Sequence, residues 1–417
     1  MEKLVIHGGN RLTGEMSVYG SKNSALPILA ATALTGCESV IHNCPRLSDV
    51  DAAIDILKSL GCKVNRENDT VTVNSCCLEN DEVPAPLMQK MRSSVIFMGA
   101  MLGRNGKAVL SAPGGCEIGL RPIDMHIGAV KALGVSVTNE DGRLYFTAEN
   151  GLKGAKITLP FPSVGATENV MLTACVAKGT TVLDNAAREP EITDLADFLN
   201  KCGARIYGAG DSTLIIKGVG RLHPAEHTVI PDRIAAASYL LCAAVTQGNI
   251  LINEITPKHI AVLLPVLQEM GCIIKLSANS VRLVAPARLS RVEILRTMPY
   301  PGFPTDIQAP MTAALSVADG TSVMIENIFE SRYKHISELL KLGANISIEG
   351  RMAVIRGVPY LSGALLRAPD LRGGFALITA ALAARGESEI THIEHIYRGY
   401  EEPEHILESL GADIKRI

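Results

Sequence analysis

No apolar run in this chain approaches the roughly 18 residues a membrane-spanning helix needs; the nearest, Ile234 to Val245, is too short. Charge of one sign is missing too: 40 Lys and Arg stand against 43 Asp and Glu, a net charge of −3 at pH 7. Bulk electrostatics therefore point to neither nucleic acid nor an acidic membrane as a partner, and a polyanionic small ligand would need a local basic cluster. The start, M-E-K-L-V-I-H-G-G, lacks a basic stretch followed by an apolar one. No secretory leader is expected, and the expected compartment is the cytoplasm.

Metal-site spacing is absent as well. Ten cysteines include no C-x-x-C pair and no Cys/His spacing resembling a zinc site, so neither a metal nor a cofactor is expected. Cys62, Cys202 and Cys272 adjoin recurring glycines, and Cys175 and Cys242 fall inside apolar helical runs; these five read as small buried hydrophobes. Cys76-Cys77 lies in a strand or its exit. Cys116 alone sits in a glycine-rich polar stretch.

What is present is an ordinary globular composition, 47% hydrophobic and 20% charged, over 417 residues, enough for two or three domains. Superimposed on it is a repeat. Six apolar helical stretches end in near-copies of one phrase (L-K-S-L-G-C, K-A-L-G-V, N-K-C-G-A, Q-E-M-G-C, L-K-L-G-A, E-S-L-G-A), with glycines at 61, 134, 203, 271, 343 and 411. A second glycine (36, 106, 179, 248, 320, 386) closes an earlier apolar helix in each copy, where a left-handed C′ residue is expected, and a short strand follows. Two alternating strands joined by a turn end the unit, as in V-T-N-E-D-G-R-L-Y-F-T. With one junction strand added, each repeat is βαβαββ.

The sixth copy stops at A-D-I-K-R-I, while K-L-V-I-H-G-G-N-R-L at the start resembles the last hairpin strand of the third copy. Residues 1–20 are therefore expected to complete repeat six. Two domains of three repeats follow, one over 21–229 and one combining 1–20 with 230–417, with a cleft between them as the expected site.

Departures from the repeat mark candidate chemistry. From the first glycine to the second, the copies span 25, 28, 24, 23, 23 and 25 residues. The extra residues of the second copy read P-G-G-C-E-I-G-L-R-P, placing Cys116 and Arg121 in a surface loop ahead of a helix that Pro122 is suited to open and that carries Asp124 and His126. A thiol beside an arginine and a positive helix terminus is a candidate for acidification; a long turn with an incidental thiol is the plainer alternative. In Y-G-S-K-N-S-A-L-P, Lys22 and Asn23 stand at a helix N-terminus, a ready anion site, against the alternative of a solvated lysine beside a cap. The segment F-P-S-V-G-A-T-E-N opens another helix, either as a phosphate cradle or as Ser/Thr capping alone. P-Y-P-G-F-P-T-D-I-Q puts Asp306 in a helix first turn, where a carboxylate ordinarily serves the dipole. Arg92, Arg332, Arg372 and Arg398 recur where helices meet the expected cleft and would focus positive potential there.

Over its whole length the chain resembles the enolpyruvyl transferases, and within them the UDP-N-acetylglucosamine 1-carboxyvinyltransferases. The likeness rests on G-S-K-N-S-A-L-P at 20–27, P-G-G-C-E-I-G-L-R-P-I-D at 113–124, S-V-G-A-T at 163–167, P-Y-P-G-F-P-T-D at 299–306, D-L-R at 370–372 and R-G-Y at 398–400. The resemblance implies an α/β fold of two inside-out α/β barrels. It also implies transfer of the enolpyruvyl group of phosphoenolpyruvate to the 3′-hydroxyl of UDP-N-acetylglucosamine by addition–elimination, the first committed step of peptidoglycan synthesis. Cys116 matches the family's proton donor, Asp306 its base, and Lys22, Arg121 and Arg398 the residues that neutralise phosphoenolpyruvate. Asn23, Arg92, Arg121, Pro122, Ile123, Asp124, Met125, Ser163, Val164, Gly165, Ile328 and Arg332 match nucleotide-sugar and cleft-lining positions, and Arg372 a residue tied to closure and phosphate contact. The implied partners are the two substrates alone, with no cofactor, nucleic acid or membrane, and a monomeric or weakly oligomeric state.

Three departures from the family pattern are Tyr397 where aspartate is frequent before R-G-Y, Gly373 where alanine or serine is usual after D-L-R, and Phe161 where lysine is frequent. A transferase with another hydroxyl acceptor, such as shikimate 3-phosphate, and a non-catalytic UDP-N-acetylglucosamine sensor are the alternatives. Cys116 with S-V-G argues against the first; intact Cys116, Asp306 and Lys22 argue against the second.

Overall fold

The computed structural model describes residues 2–111 and 123–417; Cys116, Arg121 and Pro122 lie outside them, as does the side chain of Arg92. The chain divides into two compact units, one of Met1–Tyr19 with Pro231–Ile417 and the other of the described residues within 20–230.

Among the described residues, six four-stranded sheets share one strand order. In the 20–230 unit, Glu226–Thr228 runs parallel beside Glu38–His42, followed by the hairpin partners Thr70–Asn74 and Lys63–Glu67. The second sheet repeats this with Glu82–Val83, Lys107–Ser111, Arg143–Thr147 and Ser136–Glu140, and the third with Lys156–Thr158, Thr180–Asp184, Thr213–Lys217 and Arg205–Tyr207. In the other unit the sheets are Thr13–Ser17, Asn249–Asn253, Val281–Val284, Ile273–Leu276; Ile294–Arg296, Thr321–Ile325, Met352–Arg356, Asn345–Glu349; and Leu365–Arg367, Glu387–Thr391, Lys3–His7, Asp413–Arg416.

The N-terminal segment thus serves two repeats. Lys3–His7 completes repeat six, pairing antiparallel with Glu387–Thr391 and Asp413–Arg416, as expected. Thr13–Ser17 instead opens repeat four, parallel to Asn249–Asn253, so the expectation that residues 1–20 all belong to repeat six is corrected. The cause is visible at Gly248. Its Cβ would lie 2.5 Å from the Leu12 carbonyl oxygen, and the neighbouring Asn249 N–H donates to that same oxygen at 2.8 Å. Here glycine permits close strand approach, and the left-handed residue expected at 248 is Gln247, with φ 55°. The six phrase-ending glycines at 61, 134, 203, 271, 343 and 411 all take left-handed φ, between 90° and 101°.

Helices occupy the middle of each unit because their sequences offer no polar face. Arg233–Val245 (R-I-A-A-A-S-Y-L-L-C-A-A-V), Thr305–Leu315 and Leu371–Ala383 are buried along almost their whole length and pack on one another. Ile96–Asn105 is likewise buried between Lys22–Thr32 and Val164–Ala174. A helix apolar all round has nowhere else to go. The strands alternate buried and exposed residues and lay one face over these helices, as Leu4 and Ile6 do, so helices lie inside and sheets outside. The five cysteines expected to be buried are buried; burial pushes Cys62 up to about 11 and Cys175, Cys202, Cys242 and Cys272 up to about 12. Cys76 and Cys77 are exposed just past Thr70–Asn74. No helix among the described residues is long and apolar enough to cross a membrane.

Candidate active site

In the 20–230 unit, Lys22 is the first residue of the helix Lys22–Thr32, whose N-cap Ser21 makes no side-chain cap. Lys22 is only 9% exposed, and its Nζ meets Asp49 Oδ2 at 3.0 Å, so it is not the solvated lysine of the plainer alternative. Asn23 beside it is half-buried. Asp124 begins the helix Asp124–Ala132 behind Ile123 and is exposed, while Ile123 and Met125 are half-buried. Ser163 caps Val164–Ala174 by accepting from Ala166 N at 3.3 Å, with Val164 and Gly165 in the first turn.

These last two helix starts are tied together. Asn169 Nδ2 donates to His126 Nδ1 at 2.8 Å and to the Gly165 carbonyl at 3.3 Å, while its Oδ1 accepts from Gly99 N at 2.7 Å. Burial lowers His126 to about 4, so the ring is neutral at pH 7 and can accept that bond. One turn along, buried Glu168 is pushed up to about 8 by burial and by Glu191 and Glu189, and carries its proton at pH 7.

In the other unit, Asp306 stands in the first turn of Thr305–Leu315 and is held from both sides. Arg332 Nη2 donates to Oδ1 at 2.9 Å and Arg372 Nη2 to Oδ2 at 3.0 Å, with both arginine side chains at most 4% exposed against 26% for the aspartate. Arg372 is aimed by its own N-cap: Asp370 Oδ1 accepts from Arg372 N at 3.0 Å and Gly373 N at 2.9 Å. Its guanidinium carbon lies 5.2 Å from the Tyr400 ring centroid, and its Nε and Nη1 find no acceptor in hydrogen-bond geometry among the described residues. Ile328 is half-buried in a turn organised by Glu326, whose Oε1 accepts from Ile328 N at 2.8 Å, Phe329 N at 3.1 Å and Thr297 Oγ1 at 2.9 Å. The other Glu326 oxygen accepts from Thr305 Oγ1 at 2.9 Å, so one buried carboxylate links that turn to the helix start bearing Asp306. Arg398 ends the short helix Ile393–Arg398 and is half-buried.

The structure thus gathers Asp306, Arg332 and Arg372 into one ionic cluster. Lys22 goes with Asp49, and Asp124 and Met125 with Ser163–Gly165 through His126. Sequence reasoning passed over Asp49, Asn169, Glu326 and Glu168. Glu168 and Asn169 directly precede the largely apolar run V-M-L-T-A-C-V-A, where a polar residue at a core position was the available signal; Asp49 and Glu326 carry no such signal.

Residues 6–407 match the family model described as EPSP synthase (3-phosphoshikimate 1-carboxyvinyltransferase). A UDP-N-acetylglucosamine 1-carboxyvinyltransferase 2 of Caldanaerobacter subterraneus subsp. tengcongensis is 49% identical over 417 residues, covering 100% of both chains. The chain belongs to the enolpyruvyl transferase family. Another transferase of the same name, number 1 of Symbiobacterium thermophilum, is 49% identical over 421 residues, covering 100% of this chain and 95% of its own. Among solved enolpyruvyl transferases, NikO from Streptomyces tendae superposes with a TM-score of 0.89 at 27% identity, over 100% of this chain and 98% of that one. An EPSP synthase of Acinetobacter baumannii, at 17% identity and a TM-score of 0.75 over 100% of each chain, shares the fold.

The departures from the family pattern have local accounts. Tyr397 packs against the core with the Arg416 guanidinium 4.6 Å from its ring centroid, a cation–π contact where the family's aspartate would offer a carboxylate. At Gly373 a Cβ would lie 2.8 Å from Pro369 Cγ and 3.1 Å from His335 Cβ, so glycine fits this turn. Phe161 is exposed, and its carbonyl accepts from Ser163 N at 2.7 Å; this backbone bond does not depend on the side chain.

Proposed function

We propose that this enolpyruvyl transferase moves the enolpyruvyl group of phosphoenolpyruvate onto the 3′-hydroxyl of UDP-N-acetylglucosamine, releasing phosphate, as the first committed step of peptidoglycan synthesis. Relatives that bear this activity in their names, at 49% identity over the whole chain, support the substrate pair. On the structural side one observation carries the assignment of roles: a partly exposed carboxylate, Asp306, is fixed by two buried arginines at a helix start.

The chemistry asks for a proton on the methylene carbon of phosphoenolpyruvate and a bond from the sugar O3′ to its C2. The C2–phosphate bond then breaks, and the methyl carbon gives back a proton. Cys116 is assigned as the donor in the first step and Asp306 as the base that takes the hydroxyl proton. Lys22, Arg121 and Arg398 are assigned to the phosphate and carboxylate, a preorganised positive field. Arg372, whose Nε and Nη1 find no acceptor in hydrogen-bond geometry among the described residues, is suited to an oxyanion. Asn23, Arg92, Pro122, Ile123, Asp124, Met125, Ser163, Val164, Gly165, Ile328 and Arg332 are assigned to the nucleotide sugar and the walls around it. The proposal includes a cytoplasmic setting, no membrane or nucleic-acid partner, and a monomer or weak oligomer.

Phosphate release measured with phosphoenolpyruvate and each acceptor tests it. Turnover is expected with UDP-N-acetylglucosamine and not with shikimate 3-phosphate. Tight binding of the nucleotide sugar without phosphate release would overturn the catalytic assignment.

A further inference from the structure

Lys22 is assigned above to phosphoenolpyruvate, and its ammonium is restrained by Asp49. A second set of buried groups restrains the backbone that carries it. Ser24, two residues on, is fully buried and donates its hydroxyl to Oδ2 of Asp194, on the helix Pro190–Lys201. The same oxygen accepts from Ile230 N at 3.2 Å, and the Ile230 carbonyl accepts from Ser21 N at 2.7 Å. Both flanks of Lys22 therefore lead to one carboxylate, directly through Ser24 and by way of a single peptide through Ser21.

The carboxylate is itself oriented. Lys201 Nζ lies 3.2 Å from His227 Nδ1, and His227 Nε2 lies 2.8 Å from Asp194 Oδ1. An ammonium has only protons to offer, so Nδ1 accepts and Nε2–H donates to Asp194. His227, on the strand Glu226–Thr228, packs edge-on against Phe198 with ring centroids 5.7 Å apart, which fixes its plane. Asp194 and His227 are each 4% exposed. A buried charged and polar chain of this kind is costly relative to apolar packing, and its advantage is a single geometry.

We propose that Asp194 is a positioning residue for Lys22. Through Ser24 and Ile230 it fixes the first turn of Lys22–Thr32, and with it the direction in which the ammonium meets phosphoenolpyruvate. This rests on the assignment of Lys22 made above.

A double-mutant cycle tests it, using the whole enzyme and steady-state phosphate release. Asp194→Asn and Ser24→Ala are each expected to raise KM for phosphoenolpyruvate about tenfold, the scale of one lost hydrogen bond to a charged group, and to leave KM for UDP-N-acetylglucosamine within about twofold. Lys22→Gln is expected to raise KM for phosphoenolpyruvate at least as far. In the Lys22→Gln background, Asp194→Asn and Ser24→Ala are expected to add nothing further. Effects that multiply in the double variants, or that fall equally on both substrates, would mark a general structural role and overturn the proposal. So would an unchanged KM for phosphoenolpyruvate in a folded Asp194→Asn or Ser24→Ala enzyme. Should Asp194→Asn not fold, Ser24→Ala carries the same cycle. If Lys22→Gln alone leaves KM for phosphoenolpyruvate unchanged, the fault lies in the assignment of Lys22, and the role of Asp194 falls with it.

Discussion

Arg372 Nη2 lies 3.0 Å from Oδ2 of Asp306, a residue 66 positions earlier in the chain, while Arg332 holds the other oxygen at 2.9 Å. Asp306 is thus the shared counter-ion of two buried guanidinium groups as well as the assigned base. Asp306→Ala is expected to abolish phosphate release while leaving nucleotide-sugar affinity largely intact. It also strands two buried cations, and removing one partner of a buried pair costs about 3–5 kcal/mol. The aspartate's partial exposure puts the expected loss at the lower end. Thermal denaturation beside the turnover assay checks both parts: a retained rate removes Asp306 as base, and an unchanged melting temperature removes it as the arginines' anchor.

The acid assigned to the addition step needs a transferable proton more than it needs sulfur. Cys116→Asp is accordingly expected to keep turnover, because a carboxylic acid can also donate, and to escape thiol alkylation and the epoxide fosfomycin. Equal inhibition of wild type and variant by fosfomycin would end the assignment of Cys116. The mass of the protein after incubation with phosphoenolpyruvate gives a second check, with an adduct expected on Cys116 and none on the variant.

Repeats were legible in this sequence because each one carries its own stop signal. A glycine in left-handed conformation ends the second helix six times over, and apolar helices with alternating strands show which faces are buried. The pairing of Thr13–Ser17 was not legible, since it depends on Leu12 meeting the backbone at 248–249, a contact spanning more than two hundred residues. The site divides in the same way. Lys22, Asp306 and Ser163 announce themselves at helix starts, where orphan N–H groups and local glycine or proline give a sequence signal. Asp49, Asp194 and Glu326 act on backbone or side chains brought to them by the fold, and no local pattern distinguishes them from solvated carboxylates.

Gly373 sets two effects against each other. An alanine in place of glycine within a helix ordinarily stabilises by about 1 kcal/mol. Here its Cβ would press on Pro369 Cγ at 2.8 Å and on His335 Cβ at 3.1 Å, and overpacking costs about 1–3 kcal/mol. Gly373→Ala is therefore expected to lower the melting temperature by a few degrees, with a fall in kcat because Arg372 is the preceding residue. A raised melting temperature would mean that Pro369 yields freely and that the glycine is not needed for packing.

Glu168 provides a pH test independent of catalysis. Its carboxyl is shifted from 4.5 to about 8, chiefly by burial and further by Glu191 and Glu189. Below about pH 4.5 the folded and unfolded chains both hold this proton, and the group has no effect on stability. Between about 4.5 and about 8 the unfolded chain has lost the proton while the folded chain keeps it, so stability declines as pH rises. Above about 8 the folded carboxyl ionises too, and the decline is complete, with a total on the order of a few kcal/mol. Glu168→Gln keeps the shape without the titration. Melting temperatures taken from pH 6 to pH 9 are expected to fall more steeply for wild type than for this variant, with the curves diverging towards the alkaline end. Parallel curves would show that the folded protein leaves Glu168 ionised throughout this range.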